Sequence, residues 1–98
     1  MVDKYMTFTH TQIFKALADE TRLQIVAFLA KRKGGSCGEI SAHFDTLSQP
    51  TLSHHFKILA DAGIITVEKR SVSRYYTLDK KHLKTFGIDA EKIQLKEA

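Results

Sequence analysis

The chain has 98 residues, which is enough for one small domain over 1–98 and close to the lower limit for a self-sufficient hydrophobic core. Hydrophobic residues make up 43% and charged residues 27%, a composition typical of a folded globular domain and not of an intrinsically disordered chain. The formal net charge of +4 suits a polyanionic partner such as nucleic acid, although a mildly basic domain without such a partner has the same charge.

Helical spacing of apolar residues predicts the first two helices. Ile13 and Leu17 are one turn apart, which predicts a first helix over residues 12–18. Asp19 is a good N-cap for a second helix, which is apolar over most of its circumference and is therefore expected at the centre of the core. Gly34 is expected to end it after three basic residues in its last turn.

Two further helices follow, separated by a three-residue turn. Ile40 and Phe44 are one turn apart, which predicts a short third helix over residues 37–44. Ser48 is a good N-cap for a fourth helix, which Gly63 is expected to end. The apolar stripe of this fourth helix consists of Leu52, Phe56, Leu59 and Ala60.

After residue 64 the hydrophobic period changes from 3.6 to 2. Alternation in residues 65–68 and 74–78 predicts two strands of a hairpin with a basic tip. A last helix is expected after Asp79. The predicted fold is mainly α with a two-stranded β-hairpin, in the order helix, helix, helix, helix, strand, strand, helix. Two short helices joined by a tight turn and followed by a basic hairpin are typical of a winged helix-turn-helix.

The fourth helix has a polar outer face that is suited to DNA. Short hydroxyl, amide and imidazole groups near a helix N-terminus can reach base edges in a major groove, while lysine and arginine neutralise phosphates. The candidate DNA-binding residues are Gln49, Thr51, Ser53, His54, Lys57, Arg70 and Arg74. The alternative is a helix that does not read DNA, in which the serine and threonine are ordinary caps and the histidine is simply solvated. His55 lies near the apolar stripe and is expected to form a hydrogen bond within the domain.

Residues 48–65, SQPTLSHHFKILADAGII, resemble the recognition helix of the ArsR/SmtB family of bacterial repressors. The similarity extends upstream through FKALADETRLQIVAFL at 14–29 and downstream to RYYTL at 74–78. The resemblance implies a homodimeric DNA-binding repressor, held together by its first and last helices, that binds a two-fold operator. It also implies that a ligand lowers DNA affinity through a conformational shift, and it assigns DNA contacts to Gln49, Thr51, Ser53 and His54.

Apolar residues near both chain ends are the candidates for the dimer contact. They supply more apolar surface than a monomer of this size is expected to need. These candidates are Met6, Phe8, Ile13, Leu83, Phe86 and Ile93.

A metal effector is not expected, and no cofactor is indicated. Many metal-sensing members have two cysteines leading into the third helix, and the corresponding positions here are Ser36 and Gly38. The lone Cys37 between them cannot build the sulfur-rich site that soft metals require, and it excludes an internal disulfide. Two pairs at helical spacing lack the further ligands of a four-coordinate site: Asp79 with His82, and Glu39 with His43.

Two other functions stay open, and the effector is unknown. A redox sensor would need a reactive Cys37, although a buried cysteine acting as a small hydrophobe is favoured. A winged helix that binds protein would more often expose an aromatic or aliphatic cluster on its outer face. An enzyme is not expected, because no catalytic constellation is evident. The absence of a signal-peptide pattern and of a long apolar stretch predicts a cytoplasmic protein without a membrane partner.

Overall fold

The computed structural model describes residues 8–96, which form five α-helices and a small sheet. The helices are α1 (His10–Leu17), α2 (Glu20–Ala30), α3 (Cys37–His43), α4 (Gln49–Asp61) and α5 (Lys80–Thr85). The strands are β1 (Gly35–Ser36), β2 (Ile65–Arg70) and β3 (Ser73–Leu78), and a 3-10 turn spans Ala90–Lys92. The antiparallel sheet has the order β1-β3-β2. This is the winged helix-turn-helix predicted from the sequence.

A side-chain oxygen caps the start of each of these five α-helices. The caps accept backbone N–H groups that have no partner within the helix; they are Thr9, Asp19, Ser36, Ser48 and Asp79. Asp19 and Ser48 were predicted as caps, and α5 begins after Asp79 as expected, whereas α1 begins at His10, two residues earlier than expected. Ser36 forms a reciprocal capping box with Glu39, whose carboxylate accepts the Ser36 N–H at 3.0 Å.

The sheet contains a third strand that the sequence analysis did not predict. Gly35 pairs with Tyr76, and Ser36 pairs with Tyr75. A Cβ on Gly34 would lie 2.5 Å from Cε1 of Tyr75 and 2.9 Å from the carbonyl oxygen of Tyr76. Gly34 therefore allows the chain to pass close to β3, rather than ending α2 as predicted. Because α2 already ends at Ala30, the basic residues that follow lie outside it.

The core lies around α2, which is buried at every position from Ile25 to Ala30 as its apolar circumference predicted. The apolar stripe of α4 packs against this centre through Leu52, Phe56 and Leu59. Burial of each such large side chain contributes about 1.5–3 kcal/mol. Because one face of α4 is held in this way, its opposite face is directed to solvent.

The predicted dimer contacts differ in how much surface they expose. Ile13 and Leu83 are 0% exposed and Phe86 is 8% exposed, because all three pack in the core of this protomer. They therefore offer almost no area to a second copy, which corrects their assignment. Phe8 and Ile93 are half-buried, and Met6 lies outside the described residues.

The segment after α5 packs against α2 of the same chain. The Nε2 group of Gln24 donates to the carbonyl oxygen of Gln94 at 2.9 Å, and the N–H of Lys96 donates to Oε1 of Gln24 at 2.7 Å. The short α5 ends near Gly87, whose φ of +78° favours glycine.

Near the chain ends, the large apolar side chain that stays exposed within residues 8–96 is that of Phe14 in α1, at 50%.

Candidate nucleic-acid interface

The outer side of α4 presents a row of small polar and basic side chains to solvent. We call Thr51, Ser53, His54 and Lys57 the reading face, and all four are exposed. The side chains of Ser53 and His54 form no hydrogen bond with other groups of residues 8–96, so their polar atoms are available to an incoming molecule. Thr51 is engaged at the helix start, where its Oγ1 accepts the hydroxyl of Ser48 at 2.8 Å.

A polar bridge fixes α4 against the first two helices. Nη1 of Arg22 donates to Nδ1 of His55 at 3.1 Å, which confirms the hydrogen bond expected for His55. Nε of Arg22 donates to the carbonyl oxygen of Ala16 at 2.6 Å, and Nη2 donates to that of Lys15 at 3.4 Å. One guanidinium on α2 thus joins α1 to α4. The sequence analysis missed this role of Arg22, because residues 22 and 55 are brought together only by the fold.

The protonation state of His55 follows from this contact. Arginine has donors and no acceptor, so Nδ1 of His55 must be unprotonated and the ring hydrogen lies on Nε2. Burial is the main cause that lowers the pKa of His55. Asp19 opposes this shift, and the neighbouring charges of Arg22 and His54 add to it. A neutral His55 is therefore part of the bridge at neutral pH.

Gln49 is turned towards α3 in the free protein. Its Nε2 donates to Oγ of Ser41 at 2.5 Å, and Sγ of Cys37 lies 3.9 Å from its Oε1 as a weak donor. The amide group therefore links the two helices of the helix-turn-helix, and it must exchange these partners before it can reach a base. No sequence pattern identified Ser41 as its partner.

Two of the three basic candidates, Lys57 and Arg74, line a groove between α4 and the hairpin. The groove has a volume of about 420 Å³. Ser53 and Lys57 line one side, Val67 and Arg74 line the other, and Phe56 and Tyr76 stack beneath with ring centroids 4.2 Å apart. The structure thus brings three of the predicted DNA-binding residues, Ser53, Lys57 and Arg74, to one concave surface.

The cations of this region form weak ion pairs that can be exchanged. Nζ of Lys57 lies 3.1 Å from Oδ2 of Asp61, and both side chains are largely exposed. Nε of Arg70 donates to Glu68 at 2.8 Å, and its guanidinium lies 3.9 Å from the centre of the Tyr75 ring. Exposed pairs of this kind contribute about 0–1 kcal/mol, so replacing either carboxylate with a phosphate costs little.

The metal-binding pairs considered from the sequence do not extend to a complete site within residues 8–96. No three His, Cys, Asp or Glu side chains in this part of the chain come together in a way that could hold a metal ion. Glu39 is engaged by Arg32 and the Ser36 cap, and the His43 ring packs 4.7 Å from that of Phe28. Over the same residues, the helices are too short or too polar to cross a bilayer.

Comparison with known proteins places this arrangement in a family. A helix-turn-helix domain model matches residues 17–68, which is more than half of the chain. The HTH-type transcriptional regulator YceK of Bacillus subtilis (strain 168), described as uncharacterized, is 40% identical over 76 residues, covering 76% of this chain and 75% of that protein. The transcriptional repressor SdpR of the same strain is 39% identical over 69 residues, covering 68% and 72%.

A solved structure supplies the family name. The crystal structure of an ArsR family transcriptional regulator superimposes with a TM-score of 0.67 at 28% identity, covering 79% of this chain and 77% of that one. The chain belongs to the ArsR family. This ArsR-family protein is therefore a DNA-binding helix-turn-helix regulator, as the sequence predicted. The matched segment 17–68 contains the Arg22–His55 bridge and the entire reading face.

Proposed function

We propose that this ArsR-family protein is a transcriptional repressor that binds double-stranded DNA as a homodimer on a two-fold operator. The observation that carries the proposal is the exposed reading face of α4, beside a groove flanked by Lys57 and Arg74. The similar protein SdpR is a transcriptional repressor, which supports repression as the direction of regulation. The cytoplasmic location expected from the sequence, and the absence of a catalytic role, belong to this proposal.

Each candidate has a role that follows from its environment. Ser53 and His54 are proposed to meet base edges, because their polar atoms have no competing partner in the described chain. Lys57 is proposed to exchange Asp61 for a phosphate, and Arg70 and Arg74 are proposed to contact the flanking backbone. Gln49 and Thr51 lie in the first turn of α4, where backbone N–H groups also favour a phosphate.

The proposed dimer contact is the outer face of α1. Phe14 is half exposed there, and its ring lies 6.0 Å from that of His10, which in turn lies 4.9 Å from that of Phe86. This aromatic row continues from the core to the surface. A second copy that covers Phe14 would bury the apolar area that the protomer leaves in water.

Fluorescence anisotropy on the DNA upstream of its own gene, against a scrambled duplex, tests the proposal. Specific recognition predicts tighter binding to the upstream duplex by at least tenfold, with both affinities falling steeply as salt rises. If neither duplex binds, selection from random sequences should still yield a preferred operator. Failure of that selection as well would favour a winged helix that binds protein.

A further inference from the structure

A second concave surface lies at the end of β3 that is remote from the hairpin tip. This basic cavity has a volume of about 580 Å³, within the range of sites for small ligands. Its apolar part consists of Ala30 and Leu78, which are 2% and 7% exposed. Four cationic residues surround it: Lys31, Arg32, Lys33 and Lys80. One acidic residue, Glu91, completes the lining.

Two of the four cations already have partners. The guanidinium of Arg32 binds the carboxylate of Glu39, and its Nε donates to the carbonyl oxygen of Gly34 at 3.0 Å. Nζ of Lys80 binds Oε1 of Glu91 at 2.7 Å, and this contact is the main cause that lowers the pKa of Glu91. Both acidic residues therefore stay ionised and are each matched by one cation.

The other two cations, Lys31 and Lys33, are exposed and form no ion pair within residues 8–96, although the charge of Lys31 helps to lower the pKa of Glu91. A cation near the C-terminus of a helix interacts favourably with the helix dipole, which accounts for Lys31 as the C-cap of α2. The dipole acts over the last turn only, so it does not stabilise the charge of Lys33, which lies beyond the end of α2. Four cations against Glu91 in the lining and Glu39 beside it leave an excess of two positive charges.

We propose that the basic cavity binds a small polyanion, such as a phosphorylated or polycarboxylate molecule. Lys31 and Lys33 supply charge to the anionic groups, and Lys80 can exchange Glu91 for the ligand across an exposed pair. Ala30 and Leu78 are nearly buried and form the floor of the cavity beneath these charges. The site shares no lining residue with the groove beside α4.

Strand β3 connects the two concave surfaces. Arg74 and Tyr76 line the groove, and Leu78 lines the basic cavity. Since alternate residues of a strand lie on one face, all three side chains belong to the same face of β3. An anion in the cavity therefore contacts the strand that positions Arg74. This link to DNA rests on the proposed function, whereas binding of the anion does not.

The test is a titration of the full chain with inorganic pyrophosphate, without DNA, followed by ¹⁵N–¹H NMR at constant ionic strength maintained with chloride. We expect saturable shifts centred on the amides of residues 31–33, 78 and 80. The Lys31→Ala/Lys33→Ala variant should bind at least tenfold more weakly. The matched control Lys69→Ala/Lys84→Ala removes the same charge outside the cavity and should bind within twofold of the parent protein.

Three results would overturn the proposal: no saturable shift, shifts centred on Lys57 and Arg74, or equal weakening in both double variants. The last two would mean that pyrophosphate senses overall charge or the DNA-binding surface. The amide spectrum of each variant also reports whether it is folded. If the variant were unfolded, the single change Lys33→Gln, at an exposed position after α2, should still weaken binding more than Lys84→Gln does. Because no DNA is present, a failed DNA assay leaves this result unaffected.

Discussion

Two adjacent histidines on α4 have opposite environments. Successive residues of a helix point about 100° apart, so His54 faces solvent while His55 turns towards α2. The side chain of His55 is only 12% exposed and is held by Arg22. Residue type alone therefore does not determine the role of a histidine. Its position relative to the apolar stripe does: His54 lies opposite the stripe and is a candidate for base contacts, whereas His55 lies beside it and holds α4 in place.

His54→Ala and Lys57→Ala should weaken DNA binding in different ways. If His54 meets a base edge, its loss should reduce discrimination between the operator and a scrambled duplex by about 1–3 kcal/mol. Loss of Lys57 should weaken both complexes equally and lower the slope of log affinity against log salt by about 1. Anisotropy over a salt series measures both effects. Equal loss on both duplexes for His54→Ala would remove it as a base reader.

The burial of His55 beside Arg22 should make stability depend on pH. Because the pKa of His55 is lowered from 6.5 in the folded state, the unfolded chain binds more protons just below that pH. The free energy of unfolding should therefore rise with pH through this window, and it should decrease as pH falls from 6.5 towards the folded-state pKa of His55. Urea denaturation at about pH 5.5 and pH 7.5 measures the difference.

His55→Gln provides the discriminating variant for this bridge. Its amide oxygen can still accept from Arg22 but does not titrate, so the change in stability between the two pH values should become smaller than in the parent. His54→Gln is the matched control, because His54 is exposed and outside the bridge. A parent and His55→Gln protein with identical pH dependence would contradict the assignment.

At the scale of elements, the sequence predicted what local chemistry determines. Asp19 and Ser48 were identified as caps because a capping oxygen and the backbone N–H that it accepts lie within three residues of each other. Strand β1 was missed because two residues show no alternation. The approach of Gly34 to Tyr75 and the bond between Gln49 and Ser41 were missed for a related reason, since both depend on how elements pack.

Gly34→Ala should destabilise the protein through β1. The new Cβ would meet the backbone oxygen of Tyr76 at 2.9 Å, and that atom cannot move without disturbing the β1–β3 pairing. We expect a loss of about 1–3 kcal/mol in the free energy of unfolding. Gly38→Ala is the control, because its Cβ would come no closer than 3.9 Å to Ser36 and it lies in α3. Gly38→Ala should not destabilise the protein and should stabilise it by at most about 0.5–1 kcal/mol, the difference between glycine and alanine in a helix interior.

At the scale of the whole molecule, apolar residues near the chain ends can be buried either in the core of the protomer or in a contact with a second copy. Ile13, Leu83 and Phe86 were assigned to a dimer contact but fill the core of the protomer. Their sequence pattern is the same for either role, because an apolar stripe does not specify which surface covers it. Removing the residues after Asp79 would also take Leu83 and Phe86 from this core, so such a truncation would test folding rather than assembly.

Phe14→Glu separates assembly from folding. Because Phe14 is 50% exposed, the charge can stay in water and the protomer should remain folded, whereas a proposed interface over α1 would have to bury it. Sedimentation velocity should show a monomer, and operator affinity should fall at least tenfold as the two-fold contact is lost. Val72→Glu makes the same kind of change at a 94% exposed position near the hairpin tip, and should leave the dimer intact. A Phe14→Glu protein that still sediments as a dimer would place the contact on another surface, since α1 could not then be the face that the second copy covers.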